Sequence, residues 1–337
     1  KQIPITFCGS QTSMTGSSAA DSGLALALEK QNKILDIGVD SKTKEAFVIT
    51  EPGVILGDLK RAVQAEGYFY PPDPTSFNEA QIGATIATNA TGSDTYKYGP
   101  TRWHIDSLDI LKADGSKATL SRTQAINKTS VKNTAGYYLG GEPMDQIIGS
   151  EGTLALITRA KLKLLPFANK HPFLLILPFS DFKNCIRAVT EITQLEYRPR
   201  ALELIGPGAG EFFKEHAACP EPLKSEAIFL YIKDEFTDDQ DLKTKTSTWF
   251  EALKKIYKKV GEEKNLERVF VASKDVDLEA IHQCRHHIPV KVNETYFPYT
   301  KVGGGKIGTD WWVPIKHLQE TMANTYEQAK ELGVPFL

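Results

Sequence analysis

Apolar and polar residues alternate over short stretches in the first half of the chain and over long ones in the second. Residues 34–37 (ILDI), 46–50 (AFVIT) and 108–113 (LDILKA) read as strands, as does the Ile3–Phe7 stretch; each is short, rich in branched side chains and bounded by Gly-, Ser- and Thr-rich segments. Asp114-Gly115 predicts a tight hairpin turn leading into a strand over 117–120. Residues 54–66 follow a different period. Leu59, Ala62 and Val63 fall on one face at helical spacing, and Gly67 follows where a helix would stop.

Near Leu165-Pro166 the pattern lengthens. Strands are predicted over 173–178, 201–205, 227–232, 269–271 and 308–313. Helices are predicted over 180–195 (capped by Ser180 or Asp181), 208–216, 238–260, 278–296 with a break at Pro289, and 314–332. Such alternation implies an α+β domain with a mixed or antiparallel sheet. A length of 337 residues suggests two domains, and the change of pattern places the division at 1–168 and 169–337. There is no internal repeat and no low-complexity segment.

Composition narrows the class. At 41% hydrophobic and 24% charged residues the chain reads as an ordinary soluble globular protein. A net charge of -2 argues against a nucleic-acid binder. The longest apolar runs, such as 173–177, are too short to span a bilayer, which leaves peripheral membrane association open. Cys8, Cys185, Cys219 and Cys284 lie far apart with no CxxC pair, which fits reduced thiols in a cytoplasmic protein. The glycosylation triplets at Asn89, Asn127 and Asn293 read as chance. The chain opens on Lys1 just before a strand and closes on the apolar stub 334–337, so it is expected to be a fragment of a longer protein.

Candidate chemistry concentrates between Tyr68 and Gly99. The run 83–93 (GATIATNATGS) carries no charge and little bulk over eleven residues. Small side chains let backbone N–H groups approach a ligand, and Thr, Asn and Ser add short polar contacts, so the run suits the wall of a dinucleotide site. A tightly packed turn or a helix–helix contact would account for it equally well. Before it, Pro72-Asp73-Pro74-Thr75 is stiffened by two prolines. Residues 8–17 (CGSQTSMTGS) follow a strand with the Gly and hydroxyl content of a phosphate-binding nest. A fourth segment, 147–158, reads IIGSEGTLALIT. No GxGxxG follows a strand, so a Rossmann site is unsupported, and 303–306 (GGGK) lacks the flanking residues of a P-loop. His282, His286 and His287 share a helix face, but no third ligand is evident and no metal site is predicted.

In order and spacing, these segments resemble the FAD-binding (PCMH-type) domain of the vanillyl-alcohol-oxidase/p-cresol-methylhydroxylase superfamily. Within it they resemble the group of glycolate-oxidase D-subunits, D-lactate dehydrogenases and D-2-hydroxyglutarate dehydrogenases. Residues 8–16 (CGSQTSMTG) match that group's RGGGTSLTG loop. Residues 82–92 (IGATIATNATG), followed by Tyr98-Gly99, match IGGNxATNAGG…YG. Residues 149–158 (GSEGTLALIT) match GSEGTLGIIT, and the stretch from Lys132-Asn133 to Gly136-Tyr137 resembles KNxxGYDL. The chain departs from the pattern where Cys8, Ser10 and Gln11 replace an Arg and two glycines, where Ala84 and Thr85 replace Gly and Asn, and where Thr91 replaces Gly.

The resemblance implies a two-part FAD-binding domain, then an α+β (ferredoxin-like) substrate or cap domain, both cut short. It implies noncovalent FAD, although Cys8 and His104 lie near the expected flavin region. Gly9, Ser10, Gln11, Thr12, Ser13 and Gly16 would hold the pyrophosphate. Gly83, Ala84, Thr85, Thr88, Asn89, Gly92, Ser93, Tyr98 and Gly99 would continue that wall. Pro72, Asp73, Pro74 and Thr75 would lie along the flavin, and Glu151 and Ile157 would meet the adenosine side. Read without the resemblance, Glu151 is an ordinary helix-start carboxylate and Ile157 a core residue. In the second domain the strand Pro199-Arg200-Ala201-Leu202-Glu203 matches "P-x-A-L-E", and Glu203 would orient a base or simply end the strand. Arg285, with Lys306 as a second positive charge, would bind a substrate carboxylate; either could instead be an exposed surface cation.

The implied reaction is oxidation of a D-2-hydroxy acid (of lactate, glycolate or 2-hydroxyglutarate type) to the 2-oxo acid, with hydride transfer to flavin N5. Electrons would leave to a quinone, a cytochrome or an electron-transfer flavoprotein, in the cytoplasm or at the face of the inner membrane. The family's GHxGDGxxH-type segment, with its base and divalent metal, has no match here and would lie beyond Leu337. Three other readings share parts of the pattern: an ether-lipid-type alkyl transferase (alkyl-dihydroxyacetonephosphate-synthase-like), a nucleotide-sugar reductase, and a noncatalytic FAD-binding subunit.

Overall fold

A computed structural model describes residues 3–13, 16–126, 136–167, 170–206, 213–214, 217, 219–220, 223–224, 228–303 and 313–333. The chain divides into two compact units, Lys1–Ala168 and Asn169–Leu337.

In the first unit the alternating segments form a five-stranded antiparallel sheet. Its strands are β3 (Ile34–Val39), β4 (Ala46–Thr50), β6 (Ile105–Leu111), β7 (Lys117–Ser121) and β8 (Leu156–Lys163), in the order β3-β4-β8-β6-β7. A parallel pair, β1 (Ile5–Cys8) and β2 (Leu24–Ala27), stands outside that sheet, and β5 (Tyr68–Phe69) pairs with β9 (Leu165–Pro166). The predicted helix forms as α1 (Leu56–Ala65), two residues later than its apolar period begins, and buries Leu56, Leu59 and Val63. These residues join Val48, Leu108 and Leu162 of the sheet in one apolar core. The small-residue run is partly helical. α2 (Ile82–Ala87) inserts Ile82 and Ile86 into that core and turns its small face outward. Two single-turn or short helices, α3 (Thr95–Tyr98) and α4 (Pro143–Ile147), complete the unit.

In the second unit β10 (His171–Pro178), β11 (Ala201–Ile205), β12 (Phe229–Phe236) and β13 (Phe270–Ala272) form an antiparallel sheet, ordered β11-β12-β10-β13. The apolar run of β10 is explained by burial on both faces. Phe173, Leu175 and Leu177 meet α5 (Phe182–Thr193) and α6 (Asp239–Val260), whereas Leu174 and Ile176 pack with Phe213, Cys219, Ile281 and Cys284. Asp181 caps α5 by accepting from the Asn184 N–H, and Asp238 caps α6 through the N–H groups of Gln240 and Asp241. The break expected at Pro289 does not occur. α7 (Asp275–Tyr296) runs through it, with buried Ile281 and Cys284 before the proline and buried Val292 after it, so packing outweighs the one amide bond lost. α8 (Ile315–Glu331) ends the unit. The helix expected over 208–216 lies largely outside the described residues, as does the strand over 308–313.

Candidate functional site

Three chain segments converge on one cavity of about 230 Å³ in the first unit. The first is the end of β1 and the loop after it. Cys8 closes the strand, and its thiol donates to the Ser18 carbonyl at 3.2 Å, drawing the far side of the loop back onto β1. Within this loop Gln11 takes a left-handed backbone, φ 54°, where the resembling pattern has Gly. Its side-chain amide donates to the Ser18 carbonyl at 3.0 Å, which offsets part of the strain.

The second segment is α2 and the chain on either side of it. Gly83 meets Pro52 so closely that an added Cβ would lie 2.6 Å from the proline's own. Gly92 sits harder still against the Asp73 carbonyl, 1.7 Å from where its Cβ would be, so the small-residue run and the PPDPTS turn are pressed backbone to backbone. Asp73 is itself held by Lys60 at 3.3 Å and by Ser93 at 3.4 Å. The third segment is the GSEGT turn between α4 and β8. Its Gly149 and Glu151 N–H groups donate to the carbonyls of Ile86 and Ala87, hanging the turn on the end of α2. Glu151 is in the left-handed region, φ 52°, in a turn rather than at a helix start.

Of the residues expected at a cofactor, Gly9, Gln11, Thr12, Ser13 and Pro74 line the cavity, as do Gly83, Ala84, Thr85, Thr88, Glu151 and Ile157. Ser10, Gly16, Pro72, Asp73, Thr75, Asn89, Gly92, Ser93, Tyr98 and Gly99 are not among its lining residues. Several of these have a clear packing role. Asn89 Oδ1 accepts from the Arg102 N–H at 3.0 Å, the Tyr98 ring meets Phe69 edge-on, and Gly99 lies against the Trp103 ring. Cys8 lines the cavity. His104 does not; its Nε2 is 3.0 Å from the Tyr98 carbonyl and its ring lies edge-on to Tyr70.

Gln81, Ser18 and Ser76 line the cavity without having been singled out in the sequence, and Ser17, at the end of the 8–17 segment, lines it too. A supporting ion cluster was also not foreseen. Arg102 and Arg122 both grip Asp145 at 2.9 Å, Arg122 reaches Glu142 at 3.2 Å, and Arg102 also donates to the carbonyls of Asp145 and Ile148. Burial pushes the Asp145 carboxyl up, but hydrogen bonds from Arg122 and Arg102 outweigh it and hold its pKa below the ordinary carboxylate value. The cluster anchors α4, and with it the turn that carries Glu151. No local signal could have found it, because Arg102 and Asp145 are 43 residues apart.

The second unit holds the remaining expectation. Glu203 shares a face of β11 with buried Ala201 and Ile205, which turns it toward α7. Arg285 of α7 grips it in a fork, Nε and Nη2 at 2.7 and 2.8 Å from the two carboxylate oxygens. Lys306 lies outside the described residues. Among the described residues no group of His, Cys, Asp or Glu side chains could hold a metal ion.

The cavity wall fits a dinucleotide: backbone, hydroxyls and small apolar faces, with Glu151 the one charged side chain among the described lining residues. The first 121 residues match the family described as FAD binding domain. Several curated proteins are similar over a longer stretch of the chain. A D-lactate dehydrogenase of Anaerostipes hadrus is 34% identical over 245 residues, covering 71% of this chain and 48% of that protein. Glycolate oxidase subunit GlcD of Bacillus subtilis is 32% identical over 69% of this chain and 47% of its own length. A D-2-hydroxyglutarate dehydrogenase of Xanthomonas citri is 31% identical over 64% and 43%. The chain thus spans about half the length of the curated relatives it matches. Among solved structures, an alkyldihydroxyacetonephosphate synthase superposes with a TM-score of 0.61 at 20% identity, over 86% of this chain and 51% of that one. That likeness is one of fold. Among the described residues no helix is long and apolar enough to cross a membrane.

Proposed function

We propose that this chain is the FAD-binding part, with a portion of the substrate domain, of a flavin-dependent oxidoreductase acting on a D-2-hydroxy acid. One observation carries the reading: the three segments that resemble the family's motifs, distant in sequence, meet around one nearly uncharged cavity. Gly9, Gln11, Thr12 and Ser13 hold the pyrophosphate, Gly83, Ala84, Thr85 and Thr88 continue its wall, Pro74 supports the flavin, and Glu151 and Ile157 face the adenosine. Bound FAD supplies a two-electron acceptor. Arg285 takes the substrate carboxylate in exchange for Glu203, which occupies the same bidentate fork. The hydroxy acid is of lactate, glycolate or 2-hydroxyglutarate type, and the electrons pass to a quinone, a cytochrome or an electron-transfer flavoprotein.

A noncatalytic FAD-binding subunit is the second reading, favoured by the carboxylate that Arg285 already holds. The visible absorption spectrum under anaerobic conditions separates the two. A flavin spectrum bleached by D-lactate, glycolate or D-2-hydroxyglutarate supports the oxidoreductase. A flavin spectrum that none of them bleaches supports the subunit. A chain that cannot be loaded with FAD defeats both.

A further inference from the structure

We infer that Cys219 and Cys284 are a peroxide-sensitive dithiol pair: oxidation joins their sulfurs in a disulfide that fastens the β11–β12 connection to α7. Both belong to the second unit, so the pair stands whatever the first unit's cavity binds. All four cysteines of the chain are buried thiols, but their settings differ. Cys219 lies between β11 and β12 and Cys284 in α7, and the two meet in one apolar cluster with Ile176, Phe213, Leu223 and Ile281. Within it the Cys219 thiol donates a hydrogen bond to the Cys284 sulfur. Among the described residues no other two cysteines share a cluster. Cys185 packs on the opposite face of the sheet, and the Cys8 thiol donates to the Ser18 carbonyl in the first unit.

Burial in apolar surroundings ordinarily raises a thiol's pKa and leaves it inert. Cys185 is that case: burial, with the carboxylates of Glu262 and Asp181 nearby, pushes its thiol well up. Cys284 behaves in the opposite way. The hydrogen bond from Cys219 outweighs burial, the positive charge of Lys224 adds to it, and its pKa is held below the ordinary value. Cys284 is therefore the attacking sulfur and Cys219 the resolving one. The Cys284 thiolate attacks an oxygen of hydrogen peroxide, the O–O bond breaks, and sulfenic acid and one water result. The Cys219 sulfur then attacks the Cys284 sulfur, giving up its proton as the S–O bond breaks and a second water leaves. The two sulfurs together lose two electrons and the peroxide gains them. A disulfide needs its sulfurs at about 2 Å, a short closure from hydrogen-bond contact. The bond would tie down α7 one residue before Arg285, whose guanidinium grips Glu203 of β11.

The test treats the folded full chain with graded hydrogen peroxide, then alkylates the remaining thiols in denaturant and maps the peptides by mass spectrometry. A Cys219–Cys284 cross-linked peptide, lighter by two hydrogen atoms and reversed by dithiothreitol, is expected at peroxide levels that leave Cys185 alkylatable. In urea, where the fold no longer selects the partner, the pairing should scramble. Cys219→Ser should leave a Cys284 sulfenic acid that dimedone captures, and Cys284→Ser should give no cross-link. The oxidised chain should melt higher than the reduced one by about 5 °C. Cys219 and Cys284 still alkylated once Cys185 has been oxidised, or a disulfide of either with another cysteine, would overturn the pairing. An oxidised chain that melts no higher would overturn the fastening of α7. Where a serine variant fails to fold, the wild-type peptide map decides alone.

Discussion

At the scale of single residues, the cavity depends on positions where one atom more would not fit. Gly92 has no room for a methyl group beside the Asp73 carbonyl. Gly92→Ala is therefore expected to destabilise the protein by about 3 kcal/mol, read as a lower midpoint in urea denaturation. Gln11 is the opposite case, a side chain where the backbone favours none. Gln11→Gly should raise stability by up to about 1 kcal/mol, and Gln11→Val should lower it by about 2 kcal/mol. The loop at 8–17 was legible as a candidate cavity segment because its glycine and hydroxyl content stands out in composition alone. Gln81 was not, because nothing in the local sequence marks it as lining the cavity. Arg285 was legible as a guanidinium suited to a carboxylate, but not as one already holding Glu203, 82 residues away.

At the scale of elements, periodicity located most strands and helices, and packing decided the rest. Residues 83–93 read as a ligand wall, a packed turn or a helix–helix contact, because their small side chains hide the period; Ile82 and Ile86, one helical turn apart, are what make α2 a helix. Pro289 read as a break because a local rule was applied to a helix held by contacts on both sides of it. The start of α5 shows how far such contacts reach. The buried carboxylate of Glu262 accepts from the N–H groups of Ser180 and Asp181 at 3.2 and 3.1 Å, and from the side chains of Asn184 and Asn265. Glu262→Ala leaves these donors unpaired, so a loss of about 2–4 kcal/mol is expected, accompanied by faster amide hydrogen exchange in the first turn of α5. Glu262→Gln should recover part of it.

At the scale of the whole molecule, electrostatics separates support from binding. The buried Arg102–Asp145–Arg122 cluster stands apart from the cavity wall, where Glu151 is the one charged side chain among the described lining residues. Because the folded pKa of Asp145 is held below the ordinary value of about 3.9, its stabilisation is present above that pH and is lost as pH falls through the lowered value. Urea midpoints recorded from pH 7 to pH 2 should fall steeply at the acid end. Asp145→Asn should be lower by about 3–5 kcal/mol at pH 7 and should approach the wild type in acid. Cofactor binding should respond differently. With no basic side chain among the described residues that line the cavity, FAD affinity is expected to change less than threefold between about 50 and about 500 mM salt, measured by quenching of flavin fluorescence.

The contact between Gly92 and the Asp73 carbonyl also sets limits on how this site can be redesigned. A library aimed at a new cofactor or a tighter one would waste most of its members by varying positions 83 and 92, where the neighbouring proline and carbonyl reject every larger side chain. Positions 84, 87, 88 and 90 line the cavity and are not fully buried, so they can accept new chemistry while the two glycines keep the frame in register. The run that looks uniformly small in the sequence is thus two populations interleaved, one that must remain as it is and one that is open to selection.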